Sequence, residues 1–156
     1  MKPAQRWLDE YGESHQHPLN EKIHWICVPL IMLSLVALLS LLPLNLAILN
    51  QYPNLNHWGF ALVVFASIYY FFLSIPLFAG MISVSVLLLV GTHWLSILPF
   101  PLWQTSLAIF VVAWIGQFYG HKVEGKKPSF LKDLQFLMIG PLWLLSKLYR
   151  RYGITY

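Results

Sequence analysis

Four of the six histidines of this chain lie at the two ends of one long uncharged segment. His15, His17 and His24 lie near its N-terminal end, and His121 closes its C-terminal end. Neutral imidazole is a strong ligand for iron, zinc, copper and nickel. If the segment crosses a membrane an even number of times, its two ends meet at the same membrane face. We therefore predict that these four histidines form a metal site at that face.

The spacing of reactive residues disfavours several other kinds of site. The chain has no His-Glu-x-x-His pattern of a zinc protease and no series of His-x-x-x-His patterns typical of di-iron desaturases. The only aspartates, Asp9 and Asp133, lie outside any nucleophile motif, which disfavours a Ser-His-Asp triad. Cys27 is the only cysteine, so neither an internal disulfide nor a zinc ribbon can form. His57 and His93 lie within the uncharged segment, away from the cluster.

Two short polar patterns surround the clustered histidines. In the first, Tyr11-x3-His15-x4-Asn20-x3-His24, the last two residues are four positions apart and share one face of a helix. Tyr11 and Asn20 are therefore candidate catalytic residues beside the metal. The step from His15 to Asn20 is similar to the His-x4-Asp pattern of acyltransferases, but an asparagine cannot stabilise a charged base as an aspartate does. Acyl transfer is disfavoured for that reason.

The second pattern is Gln117-x2-Gly120-His121-x2-Glu124. Gln117 and His121 share a helix face, which makes Gln117 another candidate catalytic residue. A carboxylate near a metal-binding histidine commonly accepts its second N–H and so selects its tautomer. We predict this role for Glu124, and a surface ion pair with a nearby lysine is the alternative. We also expect Gly120 and Gly125 to let the backbone turn out of the membrane.

The segment that separates the two patterns predicts a membrane protein. Residues 23 to 121 contain no Asp, Glu, Lys or Arg, and 58% of the whole chain is hydrophobic. A quarter of the residues of an ordinary soluble domain are charged, so a run of this length indicates burial in lipid. Within lipid the backbone must satisfy its own hydrogen bonds, which favours helices. We therefore predict an all-α membrane protein, with residues 1–156 forming one integral membrane domain.

The apolar runs and their prolines predict about four transmembrane helices. Asn20 is the expected N-cap of the first helix, and Pro29 is expected to kink it. An even number of spans places both termini on one side, and all ten Lys and Arg residues lie in the terminal flanks. Positive flanks favour the cytoplasm, so we expect both termini there, in a bacterial inner membrane or in the endoplasmic reticulum of a eukaryote. The predicted spans are residues 23–42, 57–73, 77–98 and 102–119.

The two flanks are expected to lie at the membrane surface. Residues 2–17 predict an amphipathic helix whose Trp7, Leu8 and Tyr11 fall at helical spacing. Residues 130–149 predict an interfacial or re-entrant segment, because their apolar run is interrupted by Gly140-Pro141 and is too short to cross. The basic C-terminal flank indicates contact with membrane lipids, and the chain carries no recognised nucleic-acid-binding module.

At the two polar patterns the chain resembles the small multi-pass membrane family typified by the yeast 2-hydroxy fatty acid dioxygenase of phytosphingosine breakdown. The resemblance covers essentially the whole chain in size and in the order of its segments. The residues that carry it are Tyr11, His15, Pro18, Asn20, His24 and Pro29 at the front, and Gln117, Gly120, His121, Glu124, Pro128 and Pro141 at the back.

This resemblance implies an iron(II)-dependent dioxygenase. Such an enzyme cleaves the C1–C2 bond of a long-chain 2-hydroxy fatty acid with O2 and leaves a fatty acid one carbon shorter, which is fatty acid α-oxidation. Fe(2+) held by His15, His24 and His121 would keep free positions for the substrate and O2. His17 would be a fourth ligand or a nearby base.

The substrate's two parts make different demands on the protein. Lys22 or Lys122 could attract the carboxylate to the membrane surface, although binding of lipid head groups is the alternative role for both. The acyl chain is expected to lie between the spans. Because its methylenes leave one apolar environment for another, we expect the protein to select for the head group more than for chain length.

Two further classes of function compete with the dioxygenase. The alternative is a non-catalytic membrane scaffold or lipid-binding protein with a structural metal site. A channel or small-solute carrier is disfavoured, because such proteins usually keep an ionisable residue at mid-membrane and none of the predicted spans contains Asp, Glu, Lys or Arg. The oligomeric state is left open by the sequence.

Overall fold

A computed structural model of the chain describes residues 3–128 and 135–156. This part of the chain contains six α-helices, two short 3-10 turns in the loop between the second and third helices, and no strand. The helices are α1 (Pro3–Gly12), α2 (Pro18–Ser40), α3 (Trp58–Leu73), α4 (Ile75–Ser96), α5 (Leu102–Glu124) and α6 (Phe136–Arg151).

The all-helical membrane architecture expected from composition is confirmed. Within the described residues, α2, α4 and α5 are long and apolar enough to cross a membrane. The fourth apolar helix, α3, has 16 residues and spans about 24 Å, which is shorter than a hydrocarbon core of about 30 Å. A short apolar helix of this kind can be accommodated in a bilayer by local thinning, by snorkelling of flanking residues or by oligomerisation.

The first predicted span begins earlier than expected. The helix α2 starts at Pro18, five residues before the predicted start at residue 23. Its N-cap is His17 and not Asn20, because the His17 Nδ1 accepts a hydrogen bond from the Leu19 backbone N–H. Pro18 then occupies the first helical position, where its missing N–H costs nothing. The helix continues through Pro29 to Ser40.

The N-terminal amphipathic helix is shorter than expected. The described part of α1 ends at Gly12, whereas the prediction extended to residue 17, and residue 2 lies outside the described part. The chain leaves the helix through tight turns in which the Ser14 N–H donates to the Tyr11 carbonyl and the His15 N–H to the Gly12 carbonyl. His15 therefore lies in the connection between α1 and α2, and not on a helix.

The helices α2 and α5 pack closely along one face of small residues. Gly116 and Gly120 lie one helical turn apart on α5 and face Cys27 and Asn20 of α2. This Gly-x-x-x-Gly spacing lets two membrane helices approach each other. The expectation that Gly120 turns the chain out of the membrane is wrong, because α5 continues to Glu124. The chain turns at Gly125, whose φ of 71° lies in the left-handed region that glycine tolerates.

Replacing Gly120 by alanine is expected to lower the thermal midpoint of unfolding by several degrees. A Cβ at this position overlaps the fully buried Asn20 Oδ1, and overpacking of this kind costs about 1–3 kcal/mol. The matched control is Gly91→Ala on α4, whose Cβ would meet only the flexible end of Leu33. Thermal unfolding in detergent measures both, and equal midpoints for the two variants would contradict a tight α2–α5 contact.

The last helix covers the N-terminal one. The helix α6 packs against α1 and runs unbroken through Gly140 and Pro141, so the expected interruption of this segment is not observed. Much of α6 is buried, including Ile139, Leu142 and Trp143. Residues 130–134 of the predicted 130–149 segment lie outside the described part of the chain. The helices α1 and α6 thus enclose the end of the bundle where α2 begins and α5 ends.

Candidate metal centre

Three histidine rings meet at the end of the bundle that α1 and α6 cover. His15, His24 and His121 are 2%, 1% and 5% exposed, and their ligand atoms all lie within 4.8 Å of one another. The ring centroids are 4.2 Å apart for His15 and His24, 4.8 Å for His15 and His121, and 5.0 Å for His24 and His121. The three rings are nearly perpendicular to each other, so they converge instead of stacking.

Backbone hydrogen bonds determine the tautomers of two of these rings. The His15 Nδ1 lies 2.6 Å from the Tyr11 carbonyl oxygen, and the His24 Nδ1 lies 2.9 Å from the Asn20 carbonyl oxygen. A carbonyl only accepts, so both Nδ1 atoms carry the hydrogen and donate. In each neutral ring the Nε2 atom is then left with a lone pair. The two Nε2 atoms lie only 2.9 Å apart, which places two acceptors at hydrogen-bond distance without a proton between them.

A metal ion bound between the two Nε2 atoms would resolve this contact. Burial, reinforced by the neighbouring His24, lowers the pKa of the His15 imidazole to about 3, so the ring does not take up a proton near neutral pH. Two imidazole nitrogens that bind one ion at about 2.1 Å are about 3.0–3.4 Å apart for angles between the octahedral and tetrahedral values. The observed 2.9 Å is close to this range. His15 and His24 are therefore spaced to share a divalent cation, and His121, whose ligand atoms lie within 4.8 Å of theirs, could complete the group.

The third ring has an unsatisfied nitrogen. The buried Nδ1 of His121 has no hydrogen-bond partner among the described residues. The expected bond from His121 to Glu124 is not formed, and neither is the alternative surface ion pair of Glu124 with a lysine among the described contacts. Lys126 instead donates to the Glu13 carbonyl oxygen at 2.6 Å.

Glu124 binds the connection that carries His15. Its Oε1 accepts from the Gln16 backbone N–H at 2.9 Å, and its Oε2 accepts from the His17 N–H at 2.8 Å and from the Asn20 amide at 3.0 Å. These two N–H groups lie at the N-terminal end of α2, where a helix favours negative charge. The Asn20 amide also donates to the Ser14 carbonyl. One carboxylate at the end of α5 thus binds the residues that follow His15 directly, and through Asn20 it is connected to Ser14, which precedes His15.

Aromatic side chains hold the His15 ring in place. The Tyr11 ring stacks on it with centroids 4.1 Å apart and planes inclined by 10°. The Trp143 ring of α6 contacts both of these rings, and its centroid lies 5.2 Å from that of His15 and 5.5 Å from that of Tyr11. Gly140 gives the Tyr11 hydroxyl its space, because a Cβ there would lie 2.9 Å from the oxygen. The sequence patterns above do not identify Trp143 as a site residue. The nearby Gly140-Pro141 pair in an apolar run was the feature that could have pointed to this part of the chain.

A small cavity of about 60 Å³ adjoins the histidines. His24, His121, Tyr11 and Gln117 contribute its polar lining, and the remaining walls are mainly apolar. Burial raises the pKa of the Tyr11 phenol above its usual range, so the hydroxyl stays protonated and can donate a hydrogen bond. The cavity can therefore take a small polar group next to the histidines.

Other residues expected at the site lie outside it. His17 is exposed and caps α2, and it is not part of the three-histidine group. Lys22 and Lys122 are both exposed, and neither lines the cavity beside the histidines. His57 caps α3 at the other end of the bundle through a bond from the Phe60 N–H, as its position in the sequence suggests.

Comparison with known proteins identifies relatives of this chain. Over 148 residues the chain is 28% identical to the 2-hydroxy-palmitic acid dioxygenase MPO1 of Saccharomyces cerevisiae, an alignment that covers 94% of this chain and 79% of the yeast protein. No solved structure matches the chain. The family model described as "2-hydroxy-palmitic acid dioxygenase Mpo1-like" matches residues 1–152. This match includes all three converging histidines, and the chain belongs to the Mpo1-like family.

Proposed function

We propose that this chain is an iron(II)-dependent dioxygenase that cleaves the C1–C2 bond of 2-hydroxy fatty acids with O2. The observation that carries the proposal is the pair of His15 and His24 Nε2 atoms, which face each other at 2.9 Å while both Nδ1 atoms donate to carbonyls. The name of the yeast relative, 2-hydroxy-palmitic acid dioxygenase, supports both the reaction type and the substrate class. Iron, when bound, supplies redox chemistry with O2 and free positions for the substrate.

The overall reaction balances without a second reductant. A 2-hydroxy acid and one O2 yield the acid one carbon shorter, CO2 and water. The C1–C2 bond breaks, C1 leaves as CO2, and C2 is oxidised from an alcohol to a carboxyl group. The four electrons that O2 accepts come from the substrate itself. No 2-oxoglutarate or other co-substrate is therefore required.

The protein's own groups would bind and orient the head of the substrate. His15 and His24 are held by their backbone carbonyls, so their Nε2 atoms stay directed at the same point. The Tyr11 hydroxyl and the Gln117 amide line the adjoining cavity and can donate to a carboxylate or a 2-hydroxyl. Asn20 and Glu124 act through the turn that carries His15 and are positioning residues. His17, at the N-terminus of α2, stabilises that helix.

Two exposed lysines and the position in the membrane would bring the substrate to this site. Lys22 and Lys122 are exposed near the end of the bundle that holds the histidines, and there they can attract a carboxylate or anionic head groups. Both termini are proposed to lie in the cytoplasm, at a bacterial inner membrane or the endoplasmic reticulum. The single domain 1–156 then takes its substrate from the membrane lipid phase.

Product analysis tests the proposed reaction. Purified protein loaded anaerobically with Fe(II) is given 2-hydroxyhexadecanoic acid, and products are measured by mass spectrometry under air and under argon. The expected result is pentadecanoic acid under air only, with one O2 consumed for each molecule formed. Bound metal without any product in air would indicate the alternative, a scaffold or lipid-binding protein with a structural metal site.

Replacing Gln117 by leucine is expected to raise the KM for 2-hydroxy acids about tenfold or more while bound iron stays unchanged. Leucine has a similar volume but no donor, and an unmade hydrogen bond to a charged group costs about 1.5–3 kcal/mol. The control is Gln16→Ala, whose exposed amide bonds the Gly12 carbonyl and no other group among the described residues. Steady-state kinetics and metal analysis of both variants measure this, and an unchanged KM in Gln117→Leu would remove Gln117 from substrate binding.

A further inference from the structure

A larger cavity continues from the small one beside the histidines. Its volume is about 430 Å³, and its lining is almost entirely apolar. It lies between α2, α3, α4, α5 and α6. The two cavities share five lining residues, so together they extend from the metal centre into the bundle. The shared residues are Ile31, Met32, Trp114, Leu137 and Pro141.

The combined cavity reaches deep along the helices. On α2 its lining extends from His24 to Val36, which is 12 residues or about 18 Å at about 1.5 Å per residue. On α5, which runs in the opposite direction, the lining extends from His121 to Phe110, which is 11 residues or about 16 Å. Two independent helices thus give a similar depth, equal to about half of a membrane's hydrocarbon core.

The far end of the cavity is closed, whereas one side is open. Val36, Val63 and Leu88 line the closed far end. They pack together as a buried cluster, and each is no more than 8% exposed. By contrast Leu35 and Leu137, which also line the cavity, are 37% and 45% exposed. The cavity therefore opens laterally past α2 and α6 toward the lipid and ends against a wall.

We propose that this cavity holds the acyl chain of the substrate and that the wall formed by Val36, Val63 and Leu88 limits the length of the chain. The inference rests on the proposed function, since the head of a 2-hydroxy acid at the histidines directs its tail into the cavity. Methylene burial cannot discriminate between lengths, because each methylene leaves lipid that is equally apolar. A closed wall discriminates by overlap instead, because a packed interior does not yield to additional methylenes.

Photolabelling tests the location of the chain without relying on catalysis. The probe is a 2-hydroxyhexadecanoic acid that carries a diazirine near its terminal carbon, added to metal-free and Fe(II)-loaded protein in detergent micelles. The expected labels lie on peptides containing Val36, Val63 or Leu88 and disappear with excess unlabelled 2-hydroxyhexadecanoic acid. Labels confined to lipid-facing residues such as Phe72 and Val112 would overturn the inference. So would labels that a phosphatidylcholine removes equally well, because they would indicate a site for lipid tails.

Filling the cavity tests the limit on length. Ala66 lines the cavity on α3, and Ala66→Phe is expected to lower turnover of the sixteen-carbon 2-hydroxy acid at least about tenfold while an eight-carbon acid keeps about its wild-type rate. The matched control is Ala108→Phe on α5, an exposed position outside the cavity lining, which should leave the length profile unchanged. Leu88→Ala should extend the profile to longer chains.

The results separate this inference from the proposed function. If the wild type is active and Ala66→Phe shows the same dependence of turnover on chain length, the acyl-chain assignment is wrong and the dioxygenase proposal stands. Wild-type protein that turns over no 2-hydroxy acid but still labels at the closed end would remove the dioxygenase and retain the acyl-chain site. A loss of turnover for short and long acids alike in Ala66→Phe, without change in the thermal midpoint, would also contradict the length limit.

Discussion

Replacing His15 or His24 by alanine is expected to remove bound iron and to abolish turnover. Loss of a residue that merely supports a metal ligand costs about 10- to 100-fold in affinity, so loss of one of three converging imidazoles should exceed about 100-fold. Iron content should fall from about one ion per chain to a trace after dialysis against buffer without metal. Metal analysis measures this directly, and oxygen consumption with a 2-hydroxy acid measures the loss of activity.

A second measurement does not depend on the reaction. Ligands that bind only the folded state raise the thermal midpoint by mass action. Added Fe(II) should therefore raise the midpoint of the wild type and leave that of His15→Ala and His24→Ala unchanged. The control is His17→Ala, which removes an exposed N-cap worth about 1 kcal/mol but should keep the iron-induced rise. Full iron binding in His15→Ala and His24→Ala would disprove the metal centre.

Replacing Glu124 by alanine is expected to weaken iron binding about 10- to 100-fold, although Glu124 touches none of the three rings. The carboxylate accepts from two backbone N–H groups and the Asn20 amide, and these bonds hold the His15 turn against the end of α5. Without it, the Gln16 and His17 N–H groups lose their acceptor, the Asn20 amide keeps only its bond to Ser14, and His15 is free to move away from His121. Titration with a divalent metal measures the affinity, and the thermal midpoint of metal-free protein should also fall.

Two variants separate this positioning role from a general loss of charge. Glu124→Gln keeps the shape but only one acceptor oxygen, so its iron affinity should lie between those of the wild type and Glu124→Ala. Glu21→Ala removes a partly exposed ion pair with Lys147, 2.6 Å long, which is worth about 0–1 kcal/mol and does not touch the metal centre. If Glu124→Ala lowers affinity no more than Glu21→Ala does, the His15 turn does not depend on the carboxylate.

Several features of the fold could be predicted from the sequence because they depend on local chain properties. The uncharged run of 99 residues predicts helices in lipid whatever their arrangement, and Ser74, Pro99 and Pro101 separate the later spans within a few residues. Helix starts were predicted less well. The apolar pattern predicts a start at residue 23, five residues after the true start of α2, because Pro18 and the His17 cap lie among polar residues.

The candidate site was predictable in composition but not in detail. The sequence alone predicted a helical membrane protein with a histidine cluster, because hydrophobicity predicts the helices and the positions of the histidines place them at the two ends of the uncharged run. The structure brings His15, His24 and His121 together and leaves His17 outside the group. The roles of Glu124, Asn20 and Gly120 were decided by tertiary structure, since their partners lie about 100 residues away along the chain. The opposed Nε2 atoms and the closed cavity are likewise products of packing, because a ring nitrogen's tautomer and a cavity's end depend on atoms that only folding brings together.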